Sequence, residues 1–522
     1  MSLGARRDVA TTFEGRRRDP GALRGWIAAH VAVVLVFAIS RIVYRSAFHV
    51  QFDSSPPGQF LQYLPPWLVE HDFWRSVLYL HHQAPMQILV VQGSIKLLGL
   101  AHASVLLEGL YVALGVLLSL TLLRVLMWLG APPALAAIAV CLFEARPTAI
   151  LYETWLFYPL PTAFLLVCCL SALLRAYRLG TPGAVILFFW VLAGVALVRS
   201  TFGTLFMAAA ASLLLLRPPI GPSGPSRKVI LKAAVVPLFI VFLNTAKTSW
   251  LVGHSFGEAL LWENLCKKIY LQLPAGERHR LAIKGLLTPV ADYRGLTTDA
   301  TGYGRYRLDH APTGIPLLDL DVLPGGVTNP HALEHVLVAE HYYRPDALYL
   351  LGHYGADYWR SVWSGISGQY VSSAALADWV MFGANYKRLE ELNAALDGVT
   401  GVQKTGPKAG RSLALVVALS LAWFYGLGRL VGARASSESE RSCGVAIAFI
   451  LLTIAYSAAV TLLISFGDFN RYRYDVDAFY LVLLVLLVAD AARFLRRGPR
   501  GRWGPRRRPG RMAELDSSRA AV

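Results

Sequence analysis

The chain has 522 residues, of which 55 % are apolar and only 16 % are charged, where a soluble globular domain carries about 25 % charged residues. The deficit falls in apolar runs of roughly 17–25 residues, long enough to cross a hydrocarbon layer of about 30 Å, and this excludes a single soluble globular domain. The formal charge of +17 gathers at the two ends, each beside an apolar run. There it reads as topogenic flanks touching anionic lipid, with no nucleic-acid partner.

In chain order, residues 1–25 form a basic cytoplasmic tail with Arg6, Arg7, Arg16, Arg17, Arg18 and Arg24. The first apolar run, 26–48, is long and lacks a small-residue cleavage site after it, so it reads as a retained helix rather than a signal peptide. Further runs fall near 86–100, 104–128, 132–150, 154–175, 183–198, 200–216, 229–246, 411–431, 444–466 and 476–494. Backbone groups in hydrocarbon must pair internally, so these runs are read as helices. The expected fold is an all-α polytopic membrane protein of about 10–11 transmembrane helices.

Two stretches are too polar to span, 49–85 and about 250–410. Basic residues at Arg175, Arg178, Arg217, Arg227, Lys228, Lys232, Arg429 and Arg434 place both on the outer side, with the two chain ends inside. The expected units are therefore the tail 1–25, an N-terminal transmembrane module 26–249 with outer loop 49–85, a non-cytoplasmic loop domain 250–410, C-terminal helices 411–494 and a basic tail 495–522. One stretch does not balance. Residues 86–178 run from outside to inside, which takes an odd number of crossings, yet four apolar runs lie there. The short run 86–100 and the Pro132-Pro133 run are the candidates for an incomplete crossing.

The outer loop 49–85 carries Phe60, Tyr63, Leu64, Trp67, Leu68, Trp74, Val77 and Leu78 at helical spacing, a pattern suited to lying in the interface, with Pro65-Pro66 dividing it. In the loop domain, Asn329-Pro330-His331 reads as a helix start. Tyr342, Tyr343, Tyr349, Tyr354, Tyr358, Trp359 and Trp363 supply apolar contact area. The five cysteines make no C-x-x-C spacing, and Cys266 alone lies in a long polar region, so no disulfide framework is expected there.

Charges at membrane depth are functional candidates by default. Asp53, just past the first helix, is either a general base or a cap for the helix after Pro56-Pro57. His82 and Gln83, next to Pro85, could contact a phosphate at a helix start, or be interfacial polar residues. Asn470, Arg471 and Arg473 lie between the last two runs, outside, where arginines are disfavoured; they suit a phosphate, or they pair with Asp468, Asp475 or Asp477. His331-Ala332-Leu333-Glu334-His335 matches a zinc-peptidase pattern but also reads as ordinary polar helix residues. Glu153 and Arg199 sit in or beside apolar runs and could line a cavity.

Asp53, the amphipathic stretch 59–80, His82-Gln83-Ala84-Pro85-Met86, the small-residue tract Leu114-Gly115-Val116-Leu117-Leu118 and Asn470-Arg471-Tyr472-Arg473-Tyr474 together resemble the GT-C-type membrane glycosyltransferases that use polyprenyl-phosphate sugars, the group of protein O-mannosyltransferases and aminoarabinose transferases. The resemblance covers about 26–215 and 411–494. It departs from the family where Ser54 follows Asp53 and where Ala84-Pro85 stands for a double proline. It implies a GT-C-like bundle in the plasma membrane. The implied activity is inverting transfer of a sugar from a polyprenyl-phosphate donor to a glycan, lipid or protein hydroxyl on the outer face. Asp53 would be the base, and Arg471, Arg473 and His82 would hold the donor phosphate. No cofactor is assigned with certainty, and a divalent metal ion is left open. A transporter or flippase of lipid-linked glycans, or a polymerase or ligase of them, is the competing reading.

Overall fold

The computed structural model describes residues 20–60, 62–179, 181–216, 226–255, 257–292, 306, 308–324, 326–370, 383–400, 412–432, 438–465 and 469–497. Most of both basic tails, residues 217–225 and Asp468 lie outside the described residues.

Seven helices are long and apolar enough to cross a membrane, with spans at Leu23–Ala47, Pro85–Trp128, Pro159–Arg178, Arg227–Val252, Leu413–Val431, Ser442–Leu463 and Phe469–Arg496. A bent pair, Pro133–Ala145 and Pro147–Glu153, turns by 63° and makes an eighth crossing when counted as one broken span. Proline opens both halves, since its missing N–H is no loss in a first turn. Two shorter apolar helices, Pro182–Val198 and Thr204–Leu216, join through a short 3₁₀ turn at Ser200–Phe202. The described residues thus hold seven spanning helices, or eight with the bent pair, fewer than the 10–11 expected, because the runs at 183–198 and 200–216 form helices too short to pass as full spans.

The missing parity is explained at Gly99. Helix Pro85–Trp128 is interrupted there by a residue at φ 74°, ψ 160°, a region open essentially to glycine alone. Gln87 and Tyr111 lie equally far from Gly99 in sequence. A straight helix would hold them about 36 Å apart, yet Gln87 Nε2 donates to the Tyr111 hydroxyl at 3.0 Å. The two arms therefore fold back on one another as a helical hairpin, and 85–98 makes no crossing of its own. The Gln92 amide pairs both ways with the backbone of Leu64, accepting from its N–H at 2.9 Å and donating to its carbonyl at 2.6 Å. This fastens the first arm to the outer loop, where short helices Pro66–His71 and Phe73–Tyr79 bury Leu68, Val69, Phe73 and Ser76.

The last helix departs from expectation. It runs Phe469–Arg497, so Asn470, Arg471 and Arg473 stand on its first turns rather than in a loop. Pairing within the helix explains the early start: Arg473 binds Asp477 one turn on, which removes the reason to keep these charges in water.

The described part of the loop domain is mainly helical and holds a two-residue antiparallel pair, Val322–Leu323 with Val327–Thr328. It has its own buried cluster, including Cys266, Ile269, Tyr270, Tyr343 and Leu350. Trp359 and Trp363 do not join that cluster; both are exposed. It reaches back to the outer loop and to the 154–158 segment through Asn385, whose Nδ2 donates to Gln51 O at 2.6 Å and to Thr154 Oγ1 at 3.1 Å.

Replacing Gly99 with Ala is expected to destabilise the protein by about 1–3 kcal/mol, because a Cβ cannot take that backbone conformation without strain. Gly109→Ala, at an ordinary helical position with nothing within 4 Å, is the control. Thermal unfolding in detergent compares the two, and equal midpoints would mean that Gly99 does not make the turn.

Candidate active site

The bent crossing ends at Glu153, and the next helix begins at Pro159. The five residues between, Thr154 to Tyr158, leave backbone groups that no helix satisfies. Several of them are met from other parts of the chain. Asp53 and Trp155 form a parallel bridge: Asp53 N–H donates to Thr154 O at 2.7 Å, and Leu156 N–H donates to Asp53 O at 3.1 Å. The Tyr63 hydroxyl donates to Leu156 O at 2.8 Å, and the Tyr111 hydroxyl to Phe157 O at 2.7 Å. Gln87 Nε2 donates to both hydroxyls. Burial pushes the Tyr63 phenol well above its ordinary value, so it remains a donor.

Asp53 is half-buried. Its Oδ1 accepts from the Ser55 N–H at 3.0 Å and the Ser55 hydroxyl at 2.6 Å. This is a turn contact ahead of helix Pro56–Gln59, whose own N-cap, Ser55, makes no side-chain cap bond. Among the described residues no hydrogen bond occupies Asp53 Oδ2.

On the other side of the break stand two arginines. Arg471 lies over the rings of Phe157, Tyr158 and Tyr472 at 5.4, 6.0 and 5.3 Å. Arg199 lies over Tyr158 and Tyr472 at 4.6 and 4.4 Å and pairs with Asp475. Arg199 Nε and Nη2 are buried without hydrogen-bond partners, as is Asp475 Oδ1. Arg473 belongs elsewhere. Two residues along a helix is about 200° around it, so Arg473 faces away from Arg471. It binds Asp477 at 3.2 Å, to which Arg146 also reaches at 3.4 Å. Arg471 and Arg473 therefore do not converge, and the partner of Arg471 at the aromatic rings is Arg199. Asn470 is buried, and its Oδ1 accepts from the Arg471 N–H.

Glu153 is held by Arg41, whose Nε donates to both carboxylate oxygens at 3.0 and 3.1 Å. Arg41 also reaches Glu144 Oε2 at 3.3 Å. With both oxygens engaged, Glu153 serves as a counter-ion. Gly115 makes room for it: a Cβ there would come within 2.4 Å of Glu153 Oε2.

His82 is not with the arginines. It is buried, with His81 at 4.0 Å and His331 at 6.0 Å between ring centroids. Burial, reinforced by the neighbouring histidines, holds its pKa well below the ordinary value. It is a neutral imidazole with no charge to offer a phosphate. Gln83 is partly exposed and precedes an N-cap, Ala84, without a side-chain cap bond. His331 precedes its helix, Leu333–Val338, so His331 and His335 do not share one helical face as a zinc-peptidase pattern needs. Among the described residues no three His, Cys, Asp or Glu side chains are disposed to hold a metal. Sequence reasoning missed Asn385, Tyr63, Tyr111 and Gln87 as supports of the site; Gln87, a polar residue inside an apolar run, was the available signal.

No known family's sequence profile and no curated protein matches the chain. Among solved structures, it aligns with the archaeal oligosaccharyltransferase AglB from Archaeoglobus fulgidus in complex with an inhibitory peptide and a dolichol-phosphate: 13 % identity, TM-score 0.37, 92 % of this chain and 52 % of that one. The apo form of the Archaeoglobus fulgidus oligosaccharyltransferase aligns at 12 % identity and TM-score 0.34, over 90 % and 51 %. The chain spans about half the length of both, and at these TM-scores the likeness decides neither fold family nor chemistry.

The histidine cluster sets a pH dependence. Burial first, then neighbouring histidines, lower His81 to about 3; burial lowers His331 to about 4. Unfolded, both titrate near 6.5. Their contribution to stability is thus fully present above about pH 6.5 and is lost as pH falls toward 4, at up to about 1.4 kcal/mol per pH unit for each group. Thermal midpoints measured from pH 7 to 4.5 should fall, and His331→Gln should flatten part of the slope. An unchanged slope in both His331→Gln and His81→Gln would mean that these rings protonate as readily folded as unfolded.

Proposed function

We propose that the chain is a GT-C-type membrane glycosyltransferase. It moves a sugar from a polyprenyl-phosphate donor to an acceptor hydroxyl at the face carrying 49–84 and the loop domain, which is the non-cytoplasmic face. The observation that carries this reading is the flanking of one helix break by a half-exposed carboxylate on one side and two buried guanidiniums on the other. That suits a substrate whose phosphate is anchored at the membrane edge and whose acceptor arrives from water.

In this reading Asp53 Oδ2 takes the proton of the acceptor hydroxyl while Ser55 holds Oδ1. The acceptor oxygen bonds to the anomeric carbon as the bond from that carbon to the phosphate oxygen breaks. The electron pair leaves with the lipid phosphate, and the configuration inverts. Arg199 and Arg471 offset the charge gathering on the leaving phosphate; Arg199 has two unpaired N–H groups to give, and a guanidinium suits a phosphate bidentately. No step is routed through a divalent ion: among the described residues no three His, Cys, Asp or Glu side chains are disposed to hold one.

Turnover with a panel of polyprenyl-phosphate sugars tests this. Asp53→Asn should fold, bind donor and lose about 10²–10⁴-fold in rate, the usual worth of a general base. Full turnover would make Asp53 a turn residue only. Arg471→Ala should weaken donor use by about 2–5 kcal/mol, with Lys rescuing in part because it lacks the planar fork. Arg473→Ala should spare donor use, since Arg146 still covers Asp477. Equal losses at 471 and 473 would count against the Arg199–Arg471 pair.

A further inference from the structure

Helix Gly355–Tyr370 of the loop domain lies across the ends of the last two spanning helices. The Tyr358 hydroxyl donates to Leu463 O at 2.9 Å. From the neighbouring helix Glu258–Tyr270, Lys268 Nζ donates to Leu462 O, also at 2.9 Å. The contact at Gly365 is so close that a Cβ would stand 3.0 Å from the Phe469 ring and 3.2 Å from the Leu462 side chain. Ser361 and Val362 are buried on this side.

The opposite side is different. Ala356, Trp359, Arg360, Trp363 and Ser364 are exposed, on a single stripe at helical spacing. Trp359 is 60 % and Trp363 74 % exposed, a large apolar area to leave in water. The helix is pinned at the carbonyl end of Ser442–Leu463, so its level is the boundary between hydrocarbon and water, where tryptophan and arginine collect. It also sits by the peripheral helix Leu413–Gly432, whose Leu413, Val417, Leu421 and Phe424 are exposed as a lipid-facing surface requires. The stripe continues that surface.

We infer that helix Gly355–Tyr370 is a membrane-surface element of the loop domain, with Trp359 and Trp363 seated in the lipid headgroup layer beside the last helix. The occupant of this face is the bilayer. The Arg360 head stays with Asp357 at the aqueous edge, while the two indoles enter where their rings are apolar and their N–H groups still meet headgroup oxygens. The loop domain would then be held to the leaflet next to Phe469, where the helix bearing Arg471 begins.

Full-length protein in lipid nanodiscs containing acyl chains brominated near the headgroup tests this by tryptophan fluorescence. The emission lost in Trp359→Phe and in Trp363→Phe, relative to wild type, is the contribution of each residue. Phenylalanine keeps an apolar ring, and the two single variants keep the test readable if one fails to fold. The expected result is that both contributions are quenched at least two-fold by brominated lipid relative to plain lipid. Contributions unaffected by brominated lipid would overturn the inference, whether acrylamide quenches them, placing the face in water, or not, placing a second copy or another protein on it. The readout uses no sugar substrate, so it stands or falls separately from the proposed activity.

Discussion

A helix that stops among other helices leaves carbonyls and amides with no water to bind, and each such buried group costs about 1–3 kcal/mol if left alone. The break at 154–158 therefore dictates much of what surrounds it. Asp53 is drawn in as a strand partner, two tyrosine hydroxyls are held as donors, and Gln87 fixes both hydroxyls at once. Gln87 can do so only because the chain reverses at Gly99 and brings Tyr111 back to it. The Asn385 amide, from the loop domain, closes the same group of bonds. Loss of any one member exposes the rest.

The buried charges follow a parallel logic. Asp475 and Asp477 sit one turn after Arg471 and Arg473, so the last helix brings its own counter-charges into the bundle. Arg41, Arg146 and Arg199 then reach in from other helices. A buried pair is weak support for stability, since desolvation offsets much of the attraction, while breaking one is costly. Glu153, with both oxygens engaged by Arg41, belongs to this structural set. The Arg199 group differs in lying against the aromatic rings of Tyr158 and Tyr472, with two guanidinium nitrogens of Arg199 left without a hydrogen bond.

Much of the fold was legible because run length is set by bilayer thickness, so the spanning helices at 26–48 and 229–246 could be read within a few residues. The hairpin was legible only as an arithmetic conflict, since its two arms look like crossings and one glycine decides otherwise. The arginine cluster was misplaced because Arg-Tyr-Arg-Tyr-Asp reads as polar until its i,i+4 partners are counted. That Arg199 would meet Arg471, or His82 meet His331, depends on contacts more than 240 residues apart in sequence. No local pattern encodes them. Asp53 was visible because it stands just past an apolar run; its bridge to Trp155 was not.

The hairpin at Gly99 also bears on how the chain enters a bilayer. Its first arm is apolar enough to be threaded across as it leaves the ribosome. A chain inserted that way would carry Arg175 and Arg178 to the opposite side from the later basic turns. Correct insertion then requires the arm to be withdrawn and folded against 100–111 or never threaded, and the amide pairing of Gln92 with Leu64 is a contact only the folded-back form can make. Biogenesis of this protein has a decision point early in synthesis, and a fault there would misplace every crossing from 111 to 179 rather than one helix.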